Sequence, residues 1–203
     1  MTRSKDYVRA VLLGLLLIAV AVPATAQDVP RTEFSAGWKL LHAMDVFLDA
    51  DETLPAGWYA DIAGNVNDTI AIVGEVAGAY KSFEDSITQL GVPVNVTADV
   101  KLHTFMGGIR FSQRNPRVVP FGQVLFGVAH GSANIEGSAT VLGRRVTVSE
   151  SESSNEFAFD AGGGVSINFT DRVGLRVTGS YLRVGADDGG NGLRFGAGIV
   201  VPF

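Results

Sequence analysis

The 203-residue sequence contains no cysteine, which excludes disulfide bonds, a thiol nucleophile and cysteine-ligated metal sites. Beyond residue 26 it also has no long helical repeat of apolar residues. Its glycine-rich stretch "DAGGGVS" is followed by neither the lysine nor the helix start of a phosphate-binding loop. The three histidines show no spacing typical of metal ligands. The sequence therefore predicts no nucleotide, redox or metal cofactor.

Basic residues are scarce, with 16 Lys and Arg against 21 Asp and Glu and a formal net charge of −5. Residues 1–26 hold three of the basic residues and one acid, so the remainder carries 13 against 20, or −7. Binding to nucleic acid requires clusters of Lys and Arg against the phosphates. The sequence therefore predicts no nucleic-acid partner.

The N-terminal residues have the three parts of a secretory signal peptide. Arg3, Lys5 and Arg9 precede the apolar run "AVLLGLLLIAVAV", and a small-x-small site ends at Ala26. An uncleaved anchor helix is the alternative, but the apolar run is shorter than the ~20 residues that span a bilayer. We therefore predict a signal peptide at 1–26, cleaved after Ala26, and one domain at 27–203.

Eight segments of the mature chain alternate between apolar and polar residues, as strands with two different faces do. They lie at about 32–43, 57–66, 69–80, 99–111, 118–131, 156–169, 172–184 and 192–203. Short turns such as "NVNDT" and "NFTDR" follow the second, fourth and sixth segments, whereas longer polar stretches follow the odd-numbered ones. This pattern predicts an all-β fold, an eight-stranded antiparallel up-and-down barrel with both termini at the short-turn end.

The placement of aromatic residues favours a barrel whose apolar face meets lipid. A soluble barrel of lipocalin type, with the apolar face inside, remains the alternative, because periodicity alone does not decide which face is buried. Lipid interfaces select two aromatic girdles, one at each membrane surface. The predicted short-turn girdle is Phe34, Phe111, Phe121, Phe169 and Phe203, and the long-loop girdle is Trp38, Trp58, Tyr80, Phe157 and Tyr181.

The polar face of such a barrel lies in a narrow interior, where charges have to be paired. The predicted interior charge network has four members of each sign: Lys39, Arg110, Arg176 and Arg194 with Asp61, Glu75, Glu156 and Asp160. A catalytic carboxylate pair is the alternative for Glu156 and Asp160. Four residues along one strand separate them by ~13 Å, which disfavours that pair.

The chain resembles the small bacterial outer-membrane barrels: the transmembrane domain of outer-membrane protein A, OmpX and the opacity-type adhesins. The resemblance rests on "VPATAQ", "TFMGGIRF" and "RFGAGIVVPF", and it covers the whole mature chain. It implies location in the outer membrane of a Gram-negative bacterium, contact with outer-membrane lipid and a monomeric state. It also implies that Phe203 is the assembly signal recognised by the barrel assembly machinery, with periplasmic chaperones as earlier partners.

Three functions are open at this stage. The first is a non-enzymatic structural or adhesive barrel that presents its long loops to a surface ligand. The stretch "SATVLGRRVTVSES" at 138–151 then either extends the fifth and sixth strands as a projecting hairpin, with Gly143 and Arg144 near its turn, or forms an ordinary solvated loop. The second is a narrow pore. The third is a lipid A-modifying hydrolase that uses His130 and Ser132, which share a strand face, with Glu136 as the orienting acid.

Overall fold

The computed structural model describes residues 30–44, 52–89, 92–115, 117–141, 144–185 and 190–203. Side chains are described for all of these except 52, 85, 87–89, 92–94, 139–141 and 144–145. The predicted signal peptide and its cleavage site at Ala26 lie outside the described residues. Within the described residues there is no helix of sufficient length and apolar character to cross a membrane.

Strands make up almost all of the described chain. They are β1 (Thr32–Met44), β2 (Glu52–Leu54), β3 (Ala56–Asn65), β4 (Ile70–Gln89), β5 (Val92–Ser112), β6 (Val118–Val141), β7 (Arg144–Asn168), β8 (Gly174–Val184) and β9 (Gly190–Pro202). Each strand from β3 onward pairs antiparallel with the next, β3 pairs with β1, and β1 also pairs with β9. The sheet is therefore closed, with eight strands in its wall.

The short β2 is the one strand that is not counted among the eight of the wall. It continues the line of β3 on the other side of a bulge. Both strands pair with β1, but the register changes by one residue between Leu41↔Leu54 and Trp38↔Trp58. Pro55 stands at this change, where a residue without an N–H group is tolerated, and its carbonyl accepts a hydrogen bond from Trp38 Nε1 at 2.8 Å.

The register sets the stagger of the barrel. A path across paired residues runs from Glu33 to Ala63 and then around the wall to Gly192 and Ala43. It returns to β1 ten residues beyond its start, 43 minus 33. Strands in such a barrel tilt by roughly 35–45° from the axis, and eight of them enclose a space that side chains fill.

The short turns form because their polar residues replace the missing strand partners. Asn67 Oδ1 accepts from the N–H groups of Thr69 and Ile70, at 2.9 and 2.8 Å. Thr170 Oγ1 does the same for Arg172 and Val173, at 3.2 and 3.1 Å. Side-chain oxygens that bond the backbone two or three residues ahead stabilise tight turns.

The strands β4 to β7 are longer than the sequence predicts. The predicted segments ended near residues 80 and 131 and resumed near 99 and 156, whereas β4–β5 and β6–β7 continue through the polar stretches between. The prediction that 81–98 is a loop is therefore wrong for its described part. For the long stretch after the fifth segment, the alternative of a projecting hairpin is the correct one of the two, and the solvated loop is wrong. The predicted turn near Gly143 lies outside the described residues.

Candidate functional site: a closed interior, a lipid-facing wall and a projecting sheet

Alternation along each wall strand places one set of charged side chains inside the barrel. Eight of them are at most 6 % exposed: Glu33, Lys39, Asp61, Glu75, Arg110, Asp160, Arg176 and Arg194. Seven of these belong to the predicted network, and Glu33 is the additional member. They form two clusters at different heights.

The upper ion cluster consists of Lys39, Glu75, Asp160 and Arg194, two charges of each sign. Glu75 accepts from Lys39 Nζ and from Arg194 Nη2, each at 2.8 Å. Arg194 Nη2 also lies 2.8 Å from Asp160 Oδ2, which accepts from the Ser180 hydroxyl as well. Every ion of this cluster thus has a partner of opposite charge, as burial requires.

The lower ion cluster lies near the short turns and consists of Glu33, Asp61, Arg110, Arg114 and Arg176. Asp61 Oδ1 accepts from Arg110 at 3.1 Å and from Arg176 at 3.2 Å. Glu33 binds Arg176 at 2.7 Å and also binds Arg114, which reaches in from the turn after β5. This cluster has three cations and two anions, and only the Arg114 side chain is partly exposed.

Phe121 belongs to this interior, so its prediction as a lipid-facing girdle residue is wrong. Its side chain is 8 % exposed, and its ring centre lies 4.8 Å from the Arg110 guanidinium and 5.1 Å from that of Arg176. On β6 the inward residues are odd-numbered, as buried Gln123 and Leu125 show. Both guanidinium groups are thus within cation–π range of the Phe121 ring.

Glu156 is exposed, so its assignment to the interior network is also wrong. It has the same strand parity as Asp160, but it lies beyond Ala158, which is fully buried in an apolar layer above the upper ion cluster. Alternation gives the correct face for Glu156 but not its height along the barrel.

That layer, the apolar cap, closes the interior toward the long hairpins. Its members are Leu41, Leu54, Ala79, Leu102, Ala129, Ala158, Leu182 and Val184. Between the cap and the upper ion cluster remains a cavity of about 10 Å³, lined by Lys39, Thr104 and Arg194 among others. Such a space holds about one water molecule. Buried ion pairs and the cap thus occupy the described interior at successive heights.

The outer face of the wall is apolar and exposed. Phe34, Phe111, Phe169 and Phe203 are 42–70 % exposed at the short-turn end. Trp38, Trp58, Phe157 and Tyr181 are 36–57 % exposed toward the other end. Apolar side chains directed outward around a closed, ion-paired interior are what a barrel in a bilayer requires. The lipocalin-type alternative, with the apolar face inside, is therefore excluded.

Above the cap, β4 to β7 continue as a four-stranded projecting sheet. Pairing of β3 with β4 ends at Ala56↔Tyr80, and pairing of β8 with β7 ends at Ala158↔Val184. Gly185 N–H still donates to the Phe157 carbonyl at 2.8 Å. In the described chain, β4 beyond Tyr80 and β7 before Phe157 thus form two edges with a paired strand on one side only. The face that continues the barrel interior carries Ile135, Val146 and Val148, which are 51–69 % exposed.

The residues of the predicted hydrolase site are not assembled for catalysis. His130 and Ser132 share the outward face of β6, but His130 Nδ1 is bonded to Asn155 Oδ1 at 2.9 Å, and no described contact joins the two residues. Glu136 lies on the same face but six residues from His130, ~20 Å along the strand. Glu136 is therefore too far away to orient the histidine. No group of three or more metal-ligating acids and histidines occurs among the described residues.

The closed antiparallel barrel and its lipid-facing wall define a membrane-spanning β-barrel protein. The chain belongs to the outer membrane protein beta-barrel domain family, whose model matches residues 11–203. The protein is accordingly located in the outer membrane of a Gram-negative bacterium and contacts its lipid. No curated protein sequence matches the chain.

Two solved structures of similar fold illustrate the comparison. Ail, the attachment invasion locus protein of Yersinia pestis, is 20 % identical with a TM-score of 0.57, over 86 % of this chain and 99 % of that one. Neisserial surface protein A is 14 % identical with a TM-score of 0.53, over 87 % and 100 %. Likeness at these identities shows the shared fold.

Proposed function

We propose that the protein is a non-enzymatic surface barrel that acts as an adhesin, with the projecting sheet as its binding element. The observation that carries this proposal is the continuation of β4 to β7 beyond the last pairs of β3 and β8. A sheet edge offers unpaired backbone groups to an extended segment of a partner, which adds as a further strand.

The apolar face of the projecting sheet supplies side-chain contacts for such a partner. Ile135 pairs with Ala98 and with Glu150, and Val148 pairs with Gly137 in the next row. Apolar side chains exposed together on one face commonly mark interaction sites. Ail, which shares the fold and is named as an attachment invasion protein, is a precedent for adhesion on this scaffold.

The remaining residues have supporting roles in this proposal. The two ion clusters and the cap keep the barrel closed and rigid, which disfavours the alternative of a narrow pore. The separation of Glu136 from His130 supports the assignment as a non-enzyme. Residues 1–26 direct export, Phe203 is the assembly signal for the barrel machinery and chaperones, and the barrel acts as a monomer.

Adherence of whole bacteria tests the proposal. A non-adherent Gram-negative strain displays the full chain, a version with residues 133–154 replaced by an Asn-Gly turn, or Ile135→Ser with Val148→Ser. Ser149→Ala with Ser151→Ala, at exposed positions on the opposite face, is the matched control. We expect adherence to epithelial monolayers from the full chain and the control, and its loss from the other two. Equal adherence by all four, at equal surface display, contradicts the proposal.

A further inference from the structure

One face of the projecting sheet is apolar and exposed. This inner face, which continues the interior face of the barrel, carries Ile135, Val146 and Val148, which are 51–69 % exposed. In the row of Ile135 it also carries Ala98 and Phe83, on β5 and β4. An apolar sheet face in a folded protein normally packs against a helix or a second sheet. The inner face is therefore a surface on which such an element can pack.

The opposite face of the same strands is polar. Its residues include Thr97, Asn134, Glu136, Ser149 and Ser151. Alternation thus gives the projecting sheet two unlike faces, as in a sheet that is covered on one side and solvated on the other.

Acidic residues line one margin of the inner face. Glu150, Glu152 and Glu156 are exposed at inward positions of β7, which forms one edge of the sheet. None of the three has a cation within salt-bridge distance in the described chain. At the other margin, on β4, Lys81 Nζ lies 4.6 Å from the centre of the Phe83 ring. The unpaired charge described on the inner face is therefore negative and lies along β7.

This distribution of charge disfavours a second copy of the chain as the cover. Two barrels in one membrane cannot bring their inner faces together, because each face looks over the mouth of its own barrel. Two barrels in opposed membranes, related by a two-fold axis in the plane of the sheets, would place β7 against β7. The glutamates of one copy would then face those of the other, and like charges across an interface oppose binding.

A basic amphipathic helix fits the inner face in width and in charge. Four strands about 4.8 Å apart span about 14 Å, and a helix with its side chains is about 10–12 Å across. Glu152 and Glu156 lie ~7 and ~20 Å from Glu150 along β7. Since a helix rises about 1.5 Å per residue, basic residues about 4 and about 14 positions after a first one reach the same levels on one side of the helix.

The middle of the inner face leaves room for a helix to approach closely. Successive inward residues of β6 are Gly131, Ala133, Ile135 and Gly137. A Cβ added at Gly131 or Gly137 would meet no atom closer than 3.7 Å, so the contacts of the described sheet do not require either glycine. One large apolar side chain among small ones suits interdigitation with the side chains of a helix.

We propose that the inner face of the projecting sheet binds a basic amphipathic helix of a partner protein. The apolar side of that helix packs on Ile135 and Val148, and its Lys or Arg side chains pair with Glu150, Glu152 and Glu156. This inference rests on the proposed function, because it names the chemistry of the partner that the projecting sheet binds. It uses the face of the sheet, whereas strand addition uses an edge.

The test uses the full mature protein in nanodiscs of zwitterionic phosphatidylcholine, with empty nanodiscs as the blank. The probe is a fluorescently labelled peptide of about 18 residues, with Lys at the spacing given above, Leu on the adjoining side, and Ala and Gln elsewhere. A peptide of the same composition in scrambled order has the same charge but no apolar side. Fluorescence anisotropy gives the dissociation constant of each peptide.

Two triple variants remove the same charge from opposite faces of the sheet. The inner-face variant is Glu150→Gln, Glu152→Gln and Glu156→Gln. The outer-face variant, the matched control, is Glu84→Gln, Asp99→Asn and Glu136→Gln. A further variant, Ile135→Ser with Val148→Ser, removes the apolar contacts. Heat-modifiable gel migration checks that each variant is folded.

We expect the wild type to bind the ordered peptide roughly tenfold more tightly than the scrambled one, through the apolar contacts. The inner-face variant should bind the ordered peptide about tenfold more weakly, since each exposed ion pair contributes a factor of about two or three. The outer-face variant should stay within about twofold of the wild type, and Ile135→Ser with Val148→Ser should lose the preference for the ordered peptide. Equal affinity of the wild type for both peptides, or equal weakening by the two triple variants, overturns the proposal.

The result is separable from that of the adherence assay, because the peptide is bound by the isolated protein without cells. Absence of peptide binding with intact adherence overturns the helix alone. Peptide binding by a protein that confers no adherence contradicts the adhesive role alone.

Discussion

Replacement of Glu75 by glutamine tests the pairing of the upper ion cluster most directly. Glu75 is 3 % exposed and lies 2.8 Å from both Lys39 Nζ and Arg194 Nη2. Glutamine keeps the size and shape of the side chain but removes its charge. Arg194 retains Asp160 as a partner, whereas Lys39 retains no carboxylate within salt-bridge distance in the described interior.

The expected magnitude follows from the burial of Lys39, which is 5 % exposed. Removal of one partner from a buried ion pair costs about 3–5 kcal/mol, because the remaining charge is left uncompensated. Glu75→Gln should therefore lower the free energy of unfolding by about this amount. Lys39→Met should lower the free energy of unfolding by a similar amount, because the upper ion cluster would then hold two carboxylates and one cation.

The double variant provides the internal control. With Lys39→Met and Glu75→Gln together, Arg194 and Asp160 remain as a neutral pair. The double variant should then be more stable than the sum of the single effects by roughly 2 kcal/mol.

Urea unfolding of the barrel from lipid vesicles measures these energies. The chain has two tryptophans, Trp38 and Trp58, which are 47 and 41 % exposed on the lipid-facing wall. Their fluorescence reports loss of membrane contact. If Glu75→Gln changes the unfolding free energy by less than about 0.5 kcal/mol, the magnitude expected of a surface site, the pairing inferred for the interior is refuted. Strict additivity of the two single variants refutes it equally.

Three further predictions concern the strand contacts, the short turns and the closed interior. Gly127→Ala should destabilise the barrel by about 1–3 kcal/mol, because the new Cβ would lie 2.0 Å from the Phe105 carbonyl oxygen. Gly122→Ala, with its nearest atom at 3.8 Å, should be close to neutral in the same urea titration. Arg114→Ala should cost about 1–2 kcal/mol by removing one of the two described cations that bind Glu33, whereas exposed Arg117→Ala in the same turn should not. In planar bilayers the wild type should show no stable single-channel current, and a current of defined size would contradict the closed interior.

The wall of the barrel was predictable from sequence because alternation carries the necessary information. Each of the eight predicted segments overlaps a wall strand, and the inward parity of Lys39, Asp61 and Arg194 follows directly from it. Glu33 has the same parity as Lys39 on β1, so the pattern contained this missing member of the lower cluster as well.

Height along the barrel was not predictable in the same way, and the error at Glu156 has this origin, whereas the error at Phe121 concerns the face of the strand. Alternation along a strand predicts whether a side chain points inward or outward. The height of that side chain along the barrel depends on the register of all eight strands around the staggered wall. Glu156 was therefore placed below the apolar cap instead of above it. Phe121 was assigned by its position near a strand end, although its odd number on β6 matches buried Gln123.

The projecting sheet was predicted only in part, because its composition resembles that of a loop. Its β6–β7 hairpin was one of two alternatives, whereas the extension of β4 and β5 was not predicted. Between 146 and 153, Val and Glu alternate with Thr and Ser, so the period of a strand is present. Both faces are largely polar at the β7 edge, and such a pattern gives little sign of which face is buried. The long-range pairing of β6 with β7, from Val118↔Ile167 to Val141↔Arg144, decides the conformation instead.

The closed interior has a consequence for where any ligand acts. Two ion clusters and the apolar cap occupy the described interior, and a barrel of eight strands is narrow enough for side chains to fill. We therefore expect a ligand to bind to the projecting sheet or the outer wall. Ile135 and Val148 lie on such a surface, above the cap and away from both ion clusters. Loss of adherence by Ile135→Ser with Val148→Ser, at an unchanged free energy of unfolding of the barrel, would show that the projecting sheet acts independently of the scaffold that carries it.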